Sequence, residues 1–405
     1  MSSYKYTDEE LLEHLKLILL EYGEDLSAEA YDSLPLEDKI SRRTYYNRFG
    51  SWREACLLAL RSDGNIRHEY LVDQNNRLFR ELEKSRRINR VFVENCLSAM
   101  SKISFKPAKV PQKERKNKVN LSFHAMRSDA HVGERVDKLW VQGLGAYNVD
   151  IYKERLWKWV NTVIKFRDED KTGLGLNKLV IHYLGDQVGG EQVYRGQPFY
   201  LDLSLTDQLF LSVQEETNAI LTLAEHFPEI EIFCVLGNHG RPGRKGDNHY
   251  RTNFDYIFYR SIQQVLQRQK NISVYVSECP TMIVKHGDFV FLLNHGDSIT
   301  RYKSIPYYGI ERMIRRLPDL YGMLIDYQLI AHFHEPANLN SRVYINGSLV
   351  GGSDLSINKM GLTNIPSQKI FYFHDKYGIN RESDLYLADP IELTPDENNI
   401  YTPHV

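Results

Sequence analysis

Histidine, aspartate and asparagine recur in this chain at the points where short apolar runs stop. Asp129-Ala-His131 follows a run ending at Met126, and Gly185-Asp186 follows Val180-Ile-His-Tyr-Leu184. Gly237-Asn238-His239 follows Ile232-Phe-Cys-Val-Leu236, His295-Gly-Asp297 follows Phe289-Val-Phe-Leu-Leu293, and His332-Phe-His334 follows Leu329-Ile-Ala331. Carboxylate oxygen and imidazole nitrogen together suit Mn²⁺, iron or Zn²⁺. Glycine just before Asp186 and Asn238 lets the backbone turn sharply and present the next side chain. One such piece says little. Five in succession at strand ends, where α/β folds assemble their sites, point to a single metal-binding rim.

The elements that must position these residues alternate between strand and helix. Strands are expected over Val119–Met126, Leu179–Leu184, Ile230–Leu236, Val274–Val276, Phe289–Leu293, Leu329–Ala331 and Arg342–Ile345, with another at Lys369–Phe373. Helices are clearest at Leu156–Phe166 and Gln208–His226. This texture predicts an α/β domain over 119–405 with a substantial sheet core. His286-Gly-Asp288 duplicates His295-Gly-Asp297, but His286 precedes its strand and His295 follows it, so strand-end geometry favours His295. His182 lies inside an apolar strand and reads as a packed core histidine; His124, His226, His249 and His374 lack motif context.

The first 65 residues read differently. Thr7 and Glu10 form a capping box ahead of Leu11, Leu12, Leu15, Ile18 and Leu19 at helical spacing. Ser41 caps a helix over Arg42–Phe49 that Gly50 ends, and Ser51 opens the next. The result is a small all-α, helix-turn-helix-like domain. Residues 66–118 read as a long helix to about Met100, then an exposed connector from Lys102 to Lys118 with Pro107, Pro111 and seven basic residues.

The chain has 405 residues, with 51 Lys+Arg against 53 Asp+Glu, so it is not a uniformly basic nucleic-acid binder. The balance conceals a switch: residues 1–40 carry 3 basic and 11 acidic side chains, and residues 41–120 carry 19 and 8. Such asymmetry suggests separate modules with separate partners. The four cysteines show no paired metal-ligand spacing, and no apolar stretch is long enough to span a bilayer. A soluble protein of a reducing compartment is expected, hence cytoplasmic.

The order D-x-H, GD, GNH, H-G, H-x-H resembles the calcineurin-like metallophosphoesterases over roughly residues 119–350. The resemblance implies a two-sheet sandwich flanked by helices, with two divalent metals held between strand-end loops, manganese first and iron or zinc also suited. It places Asp129, His131, Asp186 and His334 on the first metal. Asp186 bridges, and Asn238, His295 and His332 complete the second. His239 would contact phosphate or serve the leaving group. Apart from the resemblance, the loop Arg241-Pro-Gly-Arg-Lys245 follows GNH directly, and Arg241 reads as a substrate-phosphate contact, with Arg244 and Lys245 left open. The family's usual acidic residue after GNH is Gly240 here, its usual glycine before H-x-H is Ala331, and an acidic residue common after the bridging aspartate is Gly189.

Ser41 to Ala55, with its Phe49-Gly-Ser-Trp52 tail, resembles the homing-endonuclease-associated repeat, a helical DNA-binding unit of phage and mobile-element nucleases. Arg42, Arg43, Tyr45 and Arg48 on the short helix would contact DNA, while Phe49 and Trp52 read as core. The combined expectation is a metal-dependent DNA phosphodiesterase. A phosphomonoesterase or small-nucleotide phosphodiesterase is the enzymatic alternative, and a DNA-binding regulatory factor with a structural metal is the other. The long helix leaves pairing with a second copy open.

Overall fold

Local signals in the first turns decide where the N-terminal helices begin. In the computed structural model, which describes residues 6–23, 25–35, 39–60, 76–77, 79–80, 83, 90–100, 102–112, 121–174, 176–243, 245, 249–299, 307–359 and 361–389, Thr7 and Glu10 exchange both bonds of the capping box. Helix α1 spans Asp8–Tyr22, α2 Ala28–Ser33, α3 Arg42–Phe49 and α4 Trp52–Leu60. Their apolar faces meet in one core of Leu11, Leu15, Leu19, Tyr31, Tyr45 and Ala59, with Trp52 packed against it. The chain divides into two compact units, Met1–Val91 and Phe92–Val405.

In the second unit two sheets face each other. The first runs β11-β10-β1-β2-β3-β4, where β1 is Leu121–Arg127, β2 Lys178–Tyr183, β3 Glu229–Cys234, β4 Ile272–Val276, β10 Ser367–His374 and β11 Gly378–Tyr386. Strands β1 to β4 are parallel, and the C-terminal hairpin of β10 and β11 adds antiparallel to β1. The second sheet runs β5-β6-β7-β9-β8, with β5 at Thr281–His286, β6 Phe289–Asn294, β7 Tyr327–Ile330, β8 Ala337–Leu339 and β9 Val343–Ile345. Strands β6, β7 and β9 are parallel.

The inner faces bury Met126, Val180, Phe233, Phe291, Leu329 and Phe371 against one another. Helices α5 (Val149–Leu174), α6 (Leu205–Ala224) and α7 (Phe254–Val265) contribute to the larger core cluster with residues of the first sheet. Helix α8 (Tyr307–Tyr321) covers the second sheet through Ile310 and Leu317. The mixed α/β sandwich is therefore as expected.

Three strands were not expected. β5 alternates buried and exposed residues and carries His286, so its apolar run is short; β8 has three residues; and most of β11 is polar or exposed. The stretch read as an exposed connector also differs: residues 102–112 are irregular, yet Ile103, Phe105 and Ala108 pack on the core. Of the expected long helix, residues 92–100 are helical and bury Cys96 and Met100, whereas most of 66–89 lies outside the described residues. Among the described residues, no helix is long and apolar enough to cross a membrane.

Candidate metal centre

The parallel strands β1, β2, β3, β6 and β7 deliver their C-terminal ends to one rim, where the two sheets meet. Asp129 and His131 follow β1, Asp186 follows β2, Asn238 and His239 follow β3, His295 follows β6, and His332 and His334 follow β7. Five of these residues have left-handed backbone: Asp129 (φ 49°), His131 (43°), Asp186 (55°), His332 (71°) and His334 (62°). Only three other non-glycine residues among those described do so. Each such residue costs roughly 1–2 kcal/mol, which surrounding structure must offset, and such strain clusters at functional sites.

The donor atoms form two groups. In the first, His334 Nε2 lies 3.3 Å from Asp129 Oδ1 and 3.2 Å from His131 Nε2, which is 3.8 Å from Asp129 Oδ1. In the second, His295 Nε2 lies 3.0 Å from Asp186 Oδ2, 3.0 Å from Asn238 Oδ1 and 3.3 Å from His332 Nδ1. Asp186 also groups with His131 and His239, which places it between the two sets. The other His295 nitrogen, Nδ1, donates to the carbonyl of Leu184 at 2.7 Å, so that Nε2 is the nitrogen turned toward the donor group. His131 Nδ1 has Glu134 Oε2 at 3.4 Å and His239 Nδ1 at 3.1 Å.

The electrostatics ask for cations. Asp129 Oδ1 and Asp186 Oδ2 are buried oxygens. Burial alone would raise both carboxyls, yet His334, His131 and His295 hold Asp129 well below the ordinary range, and His295, His239 and His131 do so for Asp186. Burial opposes protonation of His131 and His295, but the facing carboxylates lift them to about 9 and about 10. Burial first, then the neighbouring imidazoles, pushes His239 and His332 down to about 3. Buried carboxylates gathered among imidazoles, with Asp129 Oδ1 and Asp186 Oδ2 facing ring nitrogens at 3.3 and 3.0 Å, are a donor set that fits divalent metal ions.

The remaining expectations fall differently. His239 sits beside the cluster: its backbone N–H donates to Asp186 Oδ1 at 2.7 Å and its Nδ1 donates to the carbonyl of Gly189 at 2.8 Å. A cleft of about 370 Å³ opens over the donors, with Tyr194, Phe333 and Leu362 among its walls. Arg241 does not line that cleft; Nη2 donates to the carbonyl of Val193, and the side chain lines an adjoining pocket of about 130 Å³ with Asn238, Lys245 and His249. Arg244 lies outside the described residues.

His286, the competing copy, is not at the rim. It packs edge-on against His124 and His182 between the sheets among Phe233, Phe291 and Phe373. The residue that sequence reasoning missed is Asp255. Its carboxylate accepts the backbone N–H groups of Asp186, Gln187 and Gly237, and only the helix-start pair Asn253 and Asp255 signalled anything there.

In the N-terminal unit one expected DNA contact is corrected. Tyr45 is fully buried: its hydroxyl meets His14 Nδ1 at 2.6 Å and its ring packs on Tyr31 and Trp52, because its position on α3 turns inward. Arg48 pairs with Asp8 at 2.8 Å and donates to the Tyr6 carbonyl, and Arg42 pairs with Asp32 at 3.2 Å. Arg43 and Tyr46 are exposed.

Residues 6–59 match the family model of the homing endonuclease associated repeat. No curated protein matches the chain. Among solved structures, Vps29 from Entamoeba histolytica complexed with zinc is similar at 12% identity and a TM-score of 0.24, over 65% of this chain and 99% of that one. Vacuolar Protein Sorting 29 from Cryptosporidium parvum is similar at 12% identity and a TM-score of 0.28, over 66% and 98%. A predicted phosphoesterase from Streptococcus pneumoniae is similar at 11% identity and a TM-score of 0.22, over 65% and 98%.

Proposed function

We propose that the chain is a metal-dependent phosphoesterase acting on DNA, a nuclease with a dinuclear centre directed by its N-terminal repeat. The observation that carries this reading is the pair of buried carboxylate oxygens, Asp129 Oδ1 and Asp186 Oδ2, each facing converging imidazole nitrogens. Asp129, His131, Asp186 and His334 would hold one ion, with Asp186 shared, and Asn238, His295 and His332 the other; manganese suits this mixed set, as do iron and zinc. Bound there, two ions would supply Lewis acidity and an activated water.

The chain's own residues do the rest. His239 holds its proton on Nδ1 against the Gly189 carbonyl, so Nε2 is the atom that exchanges a proton at the leaving oxygen. Arg241 and Lys245, beside Asn238, bind the flanking phosphate; Arg presents a forked donor there. The exposed Arg43 of α3 contacts the DNA backbone, and the protein works in the cytoplasm. The repeat over residues 6–59 supports DNA as substrate over a small phosphomonoester.

The test offers plasmid, linear DNA, RNA, the diester bis-p-nitrophenyl phosphate and the monoester p-nitrophenyl phosphate with Mn²⁺ to the wild type, Asp186→Ala and His239→Ala. Metal-dependent DNA cleavage lost in both variants is expected. Robust monoester hydrolysis without cleavage of any nucleic acid would overturn the nuclease reading.

A further inference from the structure

Two of the ligand-bearing loops, after β2 and after β3, converge on the first turn of α7. Asp255 Oδ2 accepts the N–H of Asp186 at 2.7 Å and of Gly237 at 3.0 Å, while Oδ1 accepts that of Gln187 at 3.0 Å. Asn253 caps the same helix through the Asp255 N–H and turns its amide to donate to the Gly237 carbonyl at 2.8 Å. The Phe254 N–H donates to the Gly240 carbonyl at 2.6 Å. Asp255 is completely buried.

We propose that Asp255 is a positioning residue that clamps the Asp186 loop to the Asn238–His239 loop, so that the donors of both metals are set before any ion arrives. Its consequence for metal rests on the dinuclear reading above; the clamp itself does not. Three donors converge on two oxygens, and only a carboxylate accepts from all of them. An asparagine there turns its own N–H₂ toward at least one donor. The loops also meet directly, through the His239 N–H on Asp186 Oδ1 at 2.7 Å, and they meet closely: Gly185 packs on Gly237 so that a side chain at either position has no room, and a Cβ at Gly240 would strike Asn253. Asp186 has positive φ, a conformation that holds only while neighbours enforce it. Groups that orient ligands from outside the coordination sphere typically change metal affinity or activity about 10–100-fold when removed.

The experiment uses the full-length chain as wild type, Asp255→Asn and Ser261→Ala, the last a control on α7 whose hydroxyl donates to the Ile257 carbonyl of its own helix. Amide hydrogen exchange is followed without metal, and Mn²⁺ affinity by titration. In folded Asp255→Asn, exchange at Asp186, Gln187 and Gly237 is expected to accelerate at least about 10-fold, with Mn²⁺ affinity down about 10–100-fold and KM nearly unchanged while kcat falls. Ser261→Ala changes none of these. Unaltered exchange at those amides, or unaltered Mn²⁺ affinity, overturns the proposal. If the wild type takes up no Mn²⁺ yet exchange accelerates, the metal reading falls and the clamp stands. Should Asp255→Asn fail to fold, Asp255→Glu keeps the charge but displaces the accepting oxygens and is read by the same exchange at Asp186, Gln187 and Gly237, where no acceleration counts against the clamp.

Discussion

His295, at the end of β6 in one sheet, donates its Nδ1–H to the carbonyl of Leu184, at the end of β2 in the other, at 2.7 Å. One imidazole thus ties the rims of the two sheets together and fixes its own tautomer, so that Nε2 faces Asp186, Asn238 and His332. An imidazole held this way would be a more basic and less mobile ligand than a free one.

Replacing His295 is therefore expected to remove one metal equivalent and reduce kcat at least about 100-fold, in line with losing direct Lewis-acid stabilisation. Replacing His286, the other histidine of the duplicated His-Gly-Asp motif, leaves metal content intact. Metal analysis of His295→Ala and His286→Ala after dialysis distinguishes them, and loss of metal from His286→Ala alone would reverse the assignment.

Metal removal has a thermodynamic signature. If the buried oxygens of Asp129 and Asp186 are ligands, an ion at 100 times its Kd stabilises the fold by about 2.7 kcal/mol. The wild type is expected to melt higher in Mn²⁺ than after chelation, and Asp129→Asn is expected to shrink that shift. An equal shift in both proteins would mean that Mn²⁺ binds elsewhere.

The histidine trio between the sheets predicts acid sensitivity. Burial, then His286 and other nearby positive charge, depresses His124 and His182 far below the ordinary imidazole value; burial and Lys178 bring His286 to about 4. These residues fold as neutral imidazoles and charge more readily when unfolded. Their contribution is fully present above about pH 6.5, the unfolded value, and declines as pH falls toward about 4. The urea midpoint of His182→Phe is expected to lose less between pH 7.5 and 5 than that of the wild type. Equal losses would remove the trio as the cause.

Arg127 and Glu216 form a fully buried ion pair joining β1 to α6, and the hydroxyls of Tyr152 and Tyr183 also donate to Glu216. Glu216→Gln leaves the guanidinium uncompensated, and breaking such a pair costs about 3–5 kcal/mol. Chemical denaturation measures it; a cost below about 1 kcal/mol, the range of an exposed pair, would contradict this account.

On α3, Arg43 faces solvent and Tyr45 the core. Arg43→Ala is expected to weaken DNA binding and lower the salt dependence by about one phosphate contact. Tyr45→Phe is expected to lower the melting temperature of the N-terminal unit without changing that salt slope. A reversed pattern in filter binding at several salt concentrations would refute the assignment.

Much of the site was legible because its signals are local. Apolar runs, a glycine and a polar ligand sit within a few residues of each other, and strand-end logic separated His295 from His286. The inward turn of Tyr45 was not legible, since aromatic and basic residues alternate along α3 and either face reads as surface. β8 and β11 were missed because short or half-exposed strands carry little apolar period, and Ile103 and Phe105 were missed because the basic residues around them read as a solvated connector.

The sequence by itself determined which side chains are available to ligate and that strands end where they occur, because residue type and short-range period are written within each segment. Only the tertiary structure decided which of them meet. β1 lies between β10 and β2, segments far apart in the chain, and the two sheets close on one rim. The carboxylate that ties two ligand loops comes from Asp255, 69 positions beyond Asp186. Neither the left-handed backbone of the ligands nor this long-range bond has a local signal, since both are imposed by the packing of elements that become neighbours only on folding.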